Sequence, residues 1–375
     1  MTEAQAAVAY QPGGDFAVET IEVEAPRAGE VRVRIAGVGL CHTDLIFRDQ
    51  LAPFALPGVL GHEGAGTIEA VGEGVEGLAV GDAVVVGFSS CGACPRCAEH
   101  LPSYCQNFVP LNYAGMRLED GSTAYAKQGK GLTSHFFGQS SFSALAITRA
   151  RNVVKVDTAN VPLELLGPLG CGFQTGAGGV MRSLACPAGS SIAIFGGGPV
   201  GLAAVMGAVI QGCSTIILVE PIAARREIAR ELGATHVIDP ADAGDLMEAL
   251  RAIVPAGLDF AFDTSGVVPV IEAGLATLGS HGAIGLVGVP SKADAAISVN
   301  IAALMTPGHR IIGIIEGDSD PHSFIPELIA HHAAGRFPFD KLIKTFPLDR
   351  INEAVAAQAR GECIKVVLIP QGDRS

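Results

Sequence analysis

The middle third of the chain alternates short apolar runs with helical segments, and this rhythm constrains the fold more than any other feature. Six runs have the length and composition of buried strands: SSIAIF (190–195), TIILVE (215–220), HVID, LDFAFD, AIGLVGV and RIIGII (310–315). The stretches between them carry helical patterns, among them AARREIARELG and AGDLMEALRAIV. Strands that alternate with helices form parallel sheets covered by helices on both faces. The sequence therefore predicts a doubly wound, six-stranded parallel sheet.

A glycine-rich turn follows the first of these strands. GGGPVG fits the pattern G-x-G-x-x-G through Gly196, Gly198 and Gly201, and Glu220 ends the next strand 19 residues beyond Gly201. Glycines there let the backbone approach a pyrophosphate at a helix N-terminus, and the acidic residue accepts hydrogen bonds from the adenosine ribose. The sequence predicts a Rossmann domain. Glu220 favours NAD over NADP because it would repel a 2′-phosphate. Arg225, five residues later, could also lie near the ribose and weaken this preference.

The first 170 residues have a different pattern. EVRVRIAGVGL, AGTIEAVGEGV and GDAVVVGF are short strand-like runs bounded by glycines, and they predict a mostly β domain of barrel type. After about residue 316 come two helical segments and a last strand, IKVVLI. Because the six strands of the sheet precede this tail, we expect it to return to the first domain. The predicted domains are 1–172 with 312–375, and 173–311.

Composition narrows the classes of partner and compartment. The net charge of −13 argues against a nucleic-acid partner, since such proteins usually carry a basic face. The N-terminal MTEAQAAVAY lacks the basic and apolar regions of a secretory signal. The uncharged stretch 183–219 is interrupted by FGGGPVG, so it is interpreted as strand, turn, helix and strand rather than as a membrane span. We expect a cytoplasmic chain.

The stretch CGACPRCAEHLPSYC brings four cysteines together, Cys91, Cys94, Cys97 and Cys105, at C-x2-C-x2-C-x7-C. The chain has nine cysteines, and an odd number without a secretory signal disfavours a disulfide framework. Short C-x2-C spacings favour one tetrahedral metal ion, and four thiolates leave no open position for a substrate. We interpret this lobe as a structural zinc site, with an iron–sulfur centre as the alternative that uses the same ligands.

Three further segments carry residues suited to a reactive metal. They supply Cys41 in LCHTD, His62 and Glu63 in LGHEGAG, and Cys171 in LGCGFQTGAG. Two cysteines, one histidine and an open position make a catalytic zinc site. Spacing alone does not bring these residues together, and an isolated cysteine or histidine is more often a packing residue.

Taken together, these segments resemble the zinc-dependent medium-chain alcohol dehydrogenases. GHEGAGTIEAVGEGV is similar to that family's zinc motif, and CHTD, the four cysteines, GCGFQTGAG, GGGPVG and LVGVP stand in the family's order. The resemblance covers essentially the whole chain. It implies a GroES-like β domain with a structural-zinc lobe at 88–107, completed by the C-terminal segment, and a Rossmann domain that binds NAD.

The resemblance also implies roles for the metal-site residues. Cys41, His62 and Cys171 would bind the catalytic zinc, and Cys91, Cys94, Cys97 and Cys105 would bind the structural zinc. Glu63 would sit behind the catalytic metal and approach it during ligand exchange. Asp44 would orient His62, and Thr43 would take the alcohol proton.

The cofactor side is implied in the same way. Lys365, in GECIK, would place a basic side chain on the pyrophosphate, and His42 would lie near the same phosphates. The other implied cofactor contacts are Gly196, Gly198, Pro199, Val200, Gly201, Glu220, Arg225, Val287 and Val289.

One residue departs from the family pattern. Members with a full proton relay carry a histidine three residues after the threonine, where this chain has Ile46. The proton must then leave through the cofactor ribose, water or another base, and we expect a stronger pH dependence of the rate.

The substrate class follows from a sub-family resemblance. SHFFGQSSFS followed by NVVKV resembles the aryl-alcohol (benzyl alcohol) dehydrogenase branch, and Ile46, Phe88, Phe136 and Phe137 are predicted to line an apolar substrate slot. The alternative is that the phenylalanines are core residues. The predicted activity is reversible oxidation of a primary aromatic or allylic alcohol with hydride transfer to NAD.

Two other functions stay open at this point. One is a dehydrogenase of the same family for aliphatic alcohols, polyols or a thiol–formaldehyde adduct. The other is a non-catalytic NAD-binding protein whose zinc thiolates act as a redox sensor. In each case we expect a homodimer or homotetramer.

Overall fold

The computed structural model describes residues 1–158, 161–292 and 294–370, and the chain divides into two compact units. The first unit comprises Met1–Cys171, Asp320–Ile329 and Asp340–Ser375, and the second comprises Gly172–Ser319 and Ala330–Phe339. The domain boundaries suggested by the sequence, at residues 172 and 312, stay a prediction.

The strands, in chain order, are β1 (Thr2–Ala9), β2 (Ala17–Val23), β3 (Glu30–Leu40), β4 (Gly58–Val59), β5 (Glu63–Val71), β6 (Ala83–Val86), β7 (Tyr125–Lys127), β8 (Lys130–Leu132), β9 (Leu145–Arg149), β10 (Val153–Lys155), β11 (Ser191–Phe195), β12 (Thr215–Val219), β13 (His236–Ile238), β14 (Leu258–Asp263), β15 (Leu278–Leu286), β16 (Arg310–Gly313), β17 (Ile343–Pro347) and β18 (Lys365–Ile369). The α-helices are α1 (His42–Arg48), α2 (Pro95–Ala98), α3 (Phe108–Tyr113), α4 (Gly172–Gly178), α5 (Pro199–Gln211), α6 (Ala223–Glu231), α7 (Leu246–Ile253), α8 (Val268–Ala276), α9 (Ile301–Met305), α10 (Pro321–Ala333) and α11 (Ile351–Ala359).

Two β-sheets build the first unit. One has the strand order β4-β1-β2-β7-β8, and the other has the order β10-β6-β5-β3-β18-β17, with β9 also paired to β3. The late strand β18 pairs antiparallel with β3, so that Val366 lies opposite Leu40. This pairing confirms the expectation that the C-terminal segment completes the first domain.

The described residues of the second unit form a six-stranded sheet with the order β13-β12-β11-β14-β15-β16. All its strand pairs are parallel, which confirms the doubly wound sheet predicted from the sequence. Strand β11 is buried at each of its positions, as expected for a parallel strand covered on both faces. The carboxyl ends of these strands meet at one edge, which is where ligands bind in such sheets.

Helix α5 begins and ends at residue types that are typical of helix termini. Pro199 occupies its first turn, where no backbone donor is needed, and Gly212 ends it with a left-handed φ of 76°. Among the described residues, no helix combines the length and apolarity that crossing a membrane requires.

Candidate functional site

Four side chains from three segments of the first unit converge on one point. Cys41 follows β3, His62 and Glu63 stand at the start of β5, and Cys171 is the last residue before α4. One ligand atom from each lies within 4.8 Å of the others. The side chains of His62 and Glu63 are buried, as is Cys171. The structure thus supplies the convergence that spacing alone left open.

The carboxylate of Asp44 fixes the orientation of the His62 ring. Its Oδ1 accepts from Nδ1 of His62 at 2.8 Å and from the Gly61 amide at 3.1 Å, and its Oδ2 accepts from the Cys41 amide at 2.9 Å. The other ring nitrogen, Nε2, is buried and has no hydrogen-bond partner among the described residues. A buried, unpartnered imidazole nitrogen facing thiols is a donor that suits a zinc ion.

The charges around this set favour a cation. The Cys171 thiol, as a hydrogen-bond partner, lowers the pKa of Cys41 well below its usual range, and His62 and Lys365 add to this effect against burial. Burial opposes protonation of His62, but Asp44 and Cys41 together raise its pKa well above the ordinary value. A thiolate, a carboxylate-backed imidazole and a second thiol therefore fit a bound zinc ion, which would take the place of the protons.

Lys365 lies behind the ligands. Its Nζ is 2.5 Å from Oε2 of Glu63 and donates to the carbonyl oxygen of Leu40 at 3.2 Å. The β18–β3 pairing brings it there, since Val366 is opposite Leu40. The sequence predicted this lysine on the pyrophosphate of the cofactor, and that role stays a prediction.

Gly39 makes room for the Glu63 carboxylate. A Cβ atom at Gly39 would stand 1.8 Å from Oε2 of Glu63, so a side chain there would displace the carboxylate from this position. No local pattern in the run AGVGL of β3 marks this glycine as the neighbour of a carboxylate 24 positions later.

Gln139 is a second residue that the sequence did not reveal. Its amide Nε2 donates to the carbonyl oxygen of His62 at 2.8 Å, and its Oε1 accepts from the Gly64 amide at 3.1 Å. Ser141 donates to the same Oε1 at 2.6 Å. The fully buried amide therefore ties the backbone on both sides of the His62–Glu63 pair. The only local indication of this role in the sequence was a single glutamine within the run HFFGQSSF.

The two adjacent phenylalanines contact the ligand histidine directly. The ring of Phe137 stacks on His62 with centroids 4.4 Å apart, and Phe136 meets His62 edge-on at 5.6 Å. Phe137 adopts a left-handed φ of 50°, a conformation that costs free energy in a bulky residue and clusters at functional sites. Phe88 is buried and packs on Phe108 with centroids 5.8 Å apart.

Helix α1, which begins directly after Cys41, carries three further residues for which the sequence predicted a role in the site. The Thr43 hydroxyl is 3.7 Å from the Cys41 sulfur, His42 is exposed, and Ile46 is half-buried and packs on the core. Whether Ile46, Phe88, Phe136 and Phe137 line a substrate slot stays a prediction.

The four-cysteine lobe has the dimensions of a zinc site. The sulfur–sulfur distances are 3.6 Å for Cys94–Cys97, 4.0 Å for Cys91–Cys97 and 4.0 Å for Cys94–Cys105. A tetrahedron with Zn–S bonds of about 2.3 Å has edges of about 3.8 Å. Backbone amides of Cys91 and Asn107 donate to the Cys105 sulfur at 3.2 and 3.4 Å, as thiolates require. All nine cysteines are free thiols.

In the second unit, the glycine turn has the shape of a nucleotide cradle. Gly196 has a left-handed φ of 98°, and a Cβ atom at Gly201 would lie 1.8 Å from the Gly196 carbonyl oxygen. At Gly198 a Cβ would meet nothing within 4 Å, so the backbone there is open to a ligand. Pro199 and Val200 begin α5, whose N-terminus suits a phosphate.

Glu220 lies beside this turn at the end of β12. Its Oε2 accepts from the Gly197 amide at 2.6 Å, and its Oε1 accepts from the Ile222 amide at 2.8 Å. A guanidinium nitrogen of Arg225 is 4.0 Å from Oε2. Val287 and Val289 follow β15 at the same carboxyl edge of the sheet, and Val289 is exposed.

Comparisons with known proteins agree with this arrangement. The chain matches the model described as "Alcohol dehydrogenase GroES-like domain" over residues 27–158 and the model described as "Zinc-binding dehydrogenase" over residues 199–332. It is 48% identical over 366 residues to a geraniol dehydrogenase of Castellaniella defragrans, covering 98% of this chain and 97% of that protein.

Two solved structures are similar over nearly the whole chain. An alcohol dehydrogenase zinc-binding domain protein from Burkholderia ambifaria is 47% identical with a TM-score of 0.96. A benzyl alcohol dehydrogenase from Acinetobacter calcoaceticus is 40% identical with a TM-score of 0.95. In both comparisons 99% of this chain and 100% of the other are covered.

Proposed function

Because the chain belongs to the family of zinc-binding medium-chain alcohol dehydrogenases, we propose that it oxidises primary aromatic or allylic alcohols to aldehydes, reversibly and with NAD. The observation that carries the proposal is the converged set Cys41, His62, Glu63 and Cys171, whose ligand atoms lie within 4.8 Å of one another. Three zinc ligands with a carboxylate close by can leave one position open to an alcohol.

The substrate class is supported by two relatives and by the surroundings of the site. Geraniol is an allylic alcohol and benzyl alcohol an aromatic one, and proteins named for each are similar to this chain over nearly its full length. Phe136 and Phe137, at the His62 ring, make the local environment aromatic. Both alcohols carry their hydroxyl next to a π system, and aromatic side chains can pack against such a group.

Different residues of the site would bind the metal, orient a ligand and accept the alcohol proton. When bound, zinc supplies a Lewis acid for the alcohol oxygen and NAD supplies the hydride acceptor. Cys41, His62 and Cys171 hold the metal, and Asp44 keeps the His62 ring in one orientation. The Thr43 hydroxyl takes the alcohol proton, which must then pass to the cofactor ribose, water or another base because Ile46 cannot carry it.

The preference for NAD rests on Glu220. Its two oxygens are held by the Gly197 and Ile222 amides, so the carboxylate stands at a fixed place beside the glycine turn. A carboxylate there accepts hydrogen bonds from ribose hydroxyls and repels a 2′-phosphate.

A homo-oligomeric and cytoplasmic enzyme is part of the proposal. Strand β16 lies at the edge of its sheet, and the neighbouring helix α9 exposes Ile301 and Met305 to 79% and 72%. An exposed edge with apolar side chains favours pairing with a second copy. Nine free thiols fit a reducing compartment. Light scattering on a sizing column gives the oligomeric state.

The test is NADH formation by the zinc-loaded chain with benzyl alcohol, geraniol and 1-butanol. We expect kcat/KM for the first two to exceed that for 1-butanol by roughly tenfold or more, since apolar contact area sets such discrimination. If 1-butanol is as good, the substrate class is wrong while the dehydrogenase assignment stands. If protein with two bound zinc ions forms no NADH from any of the three, the redox-sensor alternative is favoured.

A further inference from the structure

Two cysteines outside the metal sites lie side by side in the second unit. Cys186 follows the helical turn that continues from α4, and Cys213 follows Gly212, the residue that ends α5. Each thiol is the largest single influence on the pKa of the other, so the two side chains lie close together. The amide side chain of Gln211 donates to the Cys186 carbonyl oxygen at 3.1 Å and links the two segments beside the thiols.

Backbone hydrogen bonds keep these two segments in register. The Gly189 amide donates to the Gly212 carbonyl oxygen at 2.8 Å, and the Ser214 amide donates to the Ser190 carbonyl oxygen at 2.9 Å. The residues that follow Cys186 are therefore fixed against both neighbours of Cys213. A disulfide between the two sulfurs would therefore join two backbone segments that are already hydrogen-bonded to each other.

The two thiols differ in access to solvent. Cys186 is 1% exposed, whereas Cys213 is half-buried at the surface beside exposed Gly212 and Ser214. A reagent in solution can thus reach Cys213 but not Cys186. Cysteines that respond to oxidants combine an accessible thiol with a neighbouring thiol that can resolve the product.

The accessible thiol, Cys213, is also the one that more readily becomes a thiolate. The hydrogen bond from Cys186 lowers the pKa of Cys213 to about 7, and the Ser190 hydroxyl, 3.9 Å away, acts in the same direction. Burial and the Asp259 carboxylate oppose this shift. The hydrogen-bond interaction with Cys213 raises the pKa of Cys186, and burial and the charge on Cys213 raise it further, so Cys186 keeps the proton. The thiolate is the nucleophile of cysteine chemistry.

We propose that Cys213 and Cys186 form a redox pair, in which a hydroperoxide oxidises Cys213 and Cys186 then closes a reversible disulfide. The Cys213 thiolate attacks the terminal peroxide oxygen, the O–O bond breaks, and the leaving oxygen takes a proton to become water or an alcohol. The resulting sulfenic acid is attacked by Cys186, which gives up its proton as the S–O bond breaks and water leaves. Two thiols are oxidised by two electrons in total, and a dithiol reverses the reaction.

The pair lies away from the glycine turn of its own unit and uses none of the thiols of the metal sites. Helix α5 has 13 residues, so its end at Cys213 is about 20 Å from the glycine turn at its start. The metal-site thiolates would be held by zinc, which leaves Cys363 as the remaining thiol of the chain, and it is buried.

The experiment exposes the zinc-loaded full chain to hydrogen peroxide, at doses that leave its zinc content unchanged, and maps the peptides by mass spectrometry. The expected product is a Cys186–Cys213 cross-linked peptide that dithiothreitol removes. Iodoacetamide should alkylate Cys213 at pH 7 roughly tenfold faster than an ordinary thiol, because far more of it is thiolate. Absence of the cross-link while the metals stay bound overturns the proposal.

Two matched variants separate the roles of the thiols. In Cys186→Ser the sulfenic acid should persist on Cys213, and its dimedone adduct should rise several-fold above that of the unaltered chain. In Cys213→Ser neither cross-link nor adduct should form at Cys186. If Cys186→Ser gives no more adduct than the unaltered chain, Cys186 does not resolve the intermediate. Cys186→Ala is the substitute should the serine variant fail to fold, and it is compared with the unaltered chain at about pH 9, where Cys213 is a thiolate without the hydrogen bond from Cys186.

Discussion

The amine of Lys365 lies 2.5 Å from Oε2 of Glu63, and both side chains are buried beside the thiol of Cys41. Burial, and to a smaller extent the charge of Cys41, raise the pKa of the Glu63 carboxyl, and Lys365 and His62 oppose this shift. The pair therefore places a compensated charge behind the proposed metal ligands. Removing either member leaves the other charge buried without its oppositely charged partner in this pair.

Lys365→Met keeps the volume of the side chain and removes its charge. We expect a loss of about 3–5 kcal/mol in the free energy of unfolding, which is the usual cost of breaking a buried ion pair from one side. The midpoint of urea unfolding at fixed zinc measures it. The double variant Lys365→Met with Glu63→Gln should recover a large part of the loss, and a single variant as stable as the unaltered chain would show that the pair contributes nothing.

Gln139→Leu tests the amide that ties the backbone around His62. The change leaves the His62 carbonyl and the Gly64 amide buried without their partner, which costs about 1–3 kcal/mol. We also expect faster loss of the catalytic zinc to a chelator, because His62 would be less firmly held. Gln11→Leu, at an exposed glutamine of the same unit, is the control. Equal zinc release from both variants would contradict the assigned role.

Because of His135, we expect the free energy of unfolding to decrease at acidic pH. The side chain is buried with a left-handed φ of 62°, and burial, with help from Arg117, lowers its pKa to about 4 from 6.5. The unfolded chain binds this proton below about pH 6.5, whereas the folded chain does so only near pH 4. Stability is therefore lost as the pH falls through this window, by about 2 kcal/mol at pH 5.

His135→Asn removes the titrating group, and asparagine tolerates the left-handed backbone. The fall in the urea midpoint between pH 7 and pH 5 should be smaller in the variant than in the unaltered chain. Acid release of zinc affects both proteins, so the difference between them reports on His135. Equal falls would mean that His135 gains a proton in the folded chain as readily as in the unfolded one.

Glu220→Ser tests the cofactor preference. Without the carboxylate, the repulsion of a 2′-phosphate disappears while Arg225 remains, so kcat/KM should fall with NAD and rise with NADP. We expect the ratio of the two efficiencies to change by roughly tenfold or more, because a repulsive contact with only one of the two cofactors contributes directly to the difference in their binding. Glu227→Ser, at an exposed residue of α6, should leave the ratio unchanged. An unchanged ratio in Glu220→Ser would place cofactor selection on another residue.

The sequence by itself determined the parts of this protein that depend on local pattern. The alternation of apolar runs and helical segments predicted the parallel sheet, and GGGPVG predicted a turn that only glycine fits, as the 1.8 Å approach at Gly201 requires. The four cysteines lie within one short lobe, so their spacing alone was enough to bring their sulfurs together. Periodicity and backbone preference act over a few residues, and they can be inferred without knowing the rest of the fold.

Only the tertiary structure decided how distant segments meet. Cys41, His62 and Cys171 come from three elements, and no spacing rule fixes their mutual distance. The β18–β3 pairing sets Lys365 against Glu63, and the return of the 134–143 segment sets Gln139 against the His62 backbone. Such contacts result from strand pairing and core packing between residues far apart in the chain, which no local pattern in the sequence specifies.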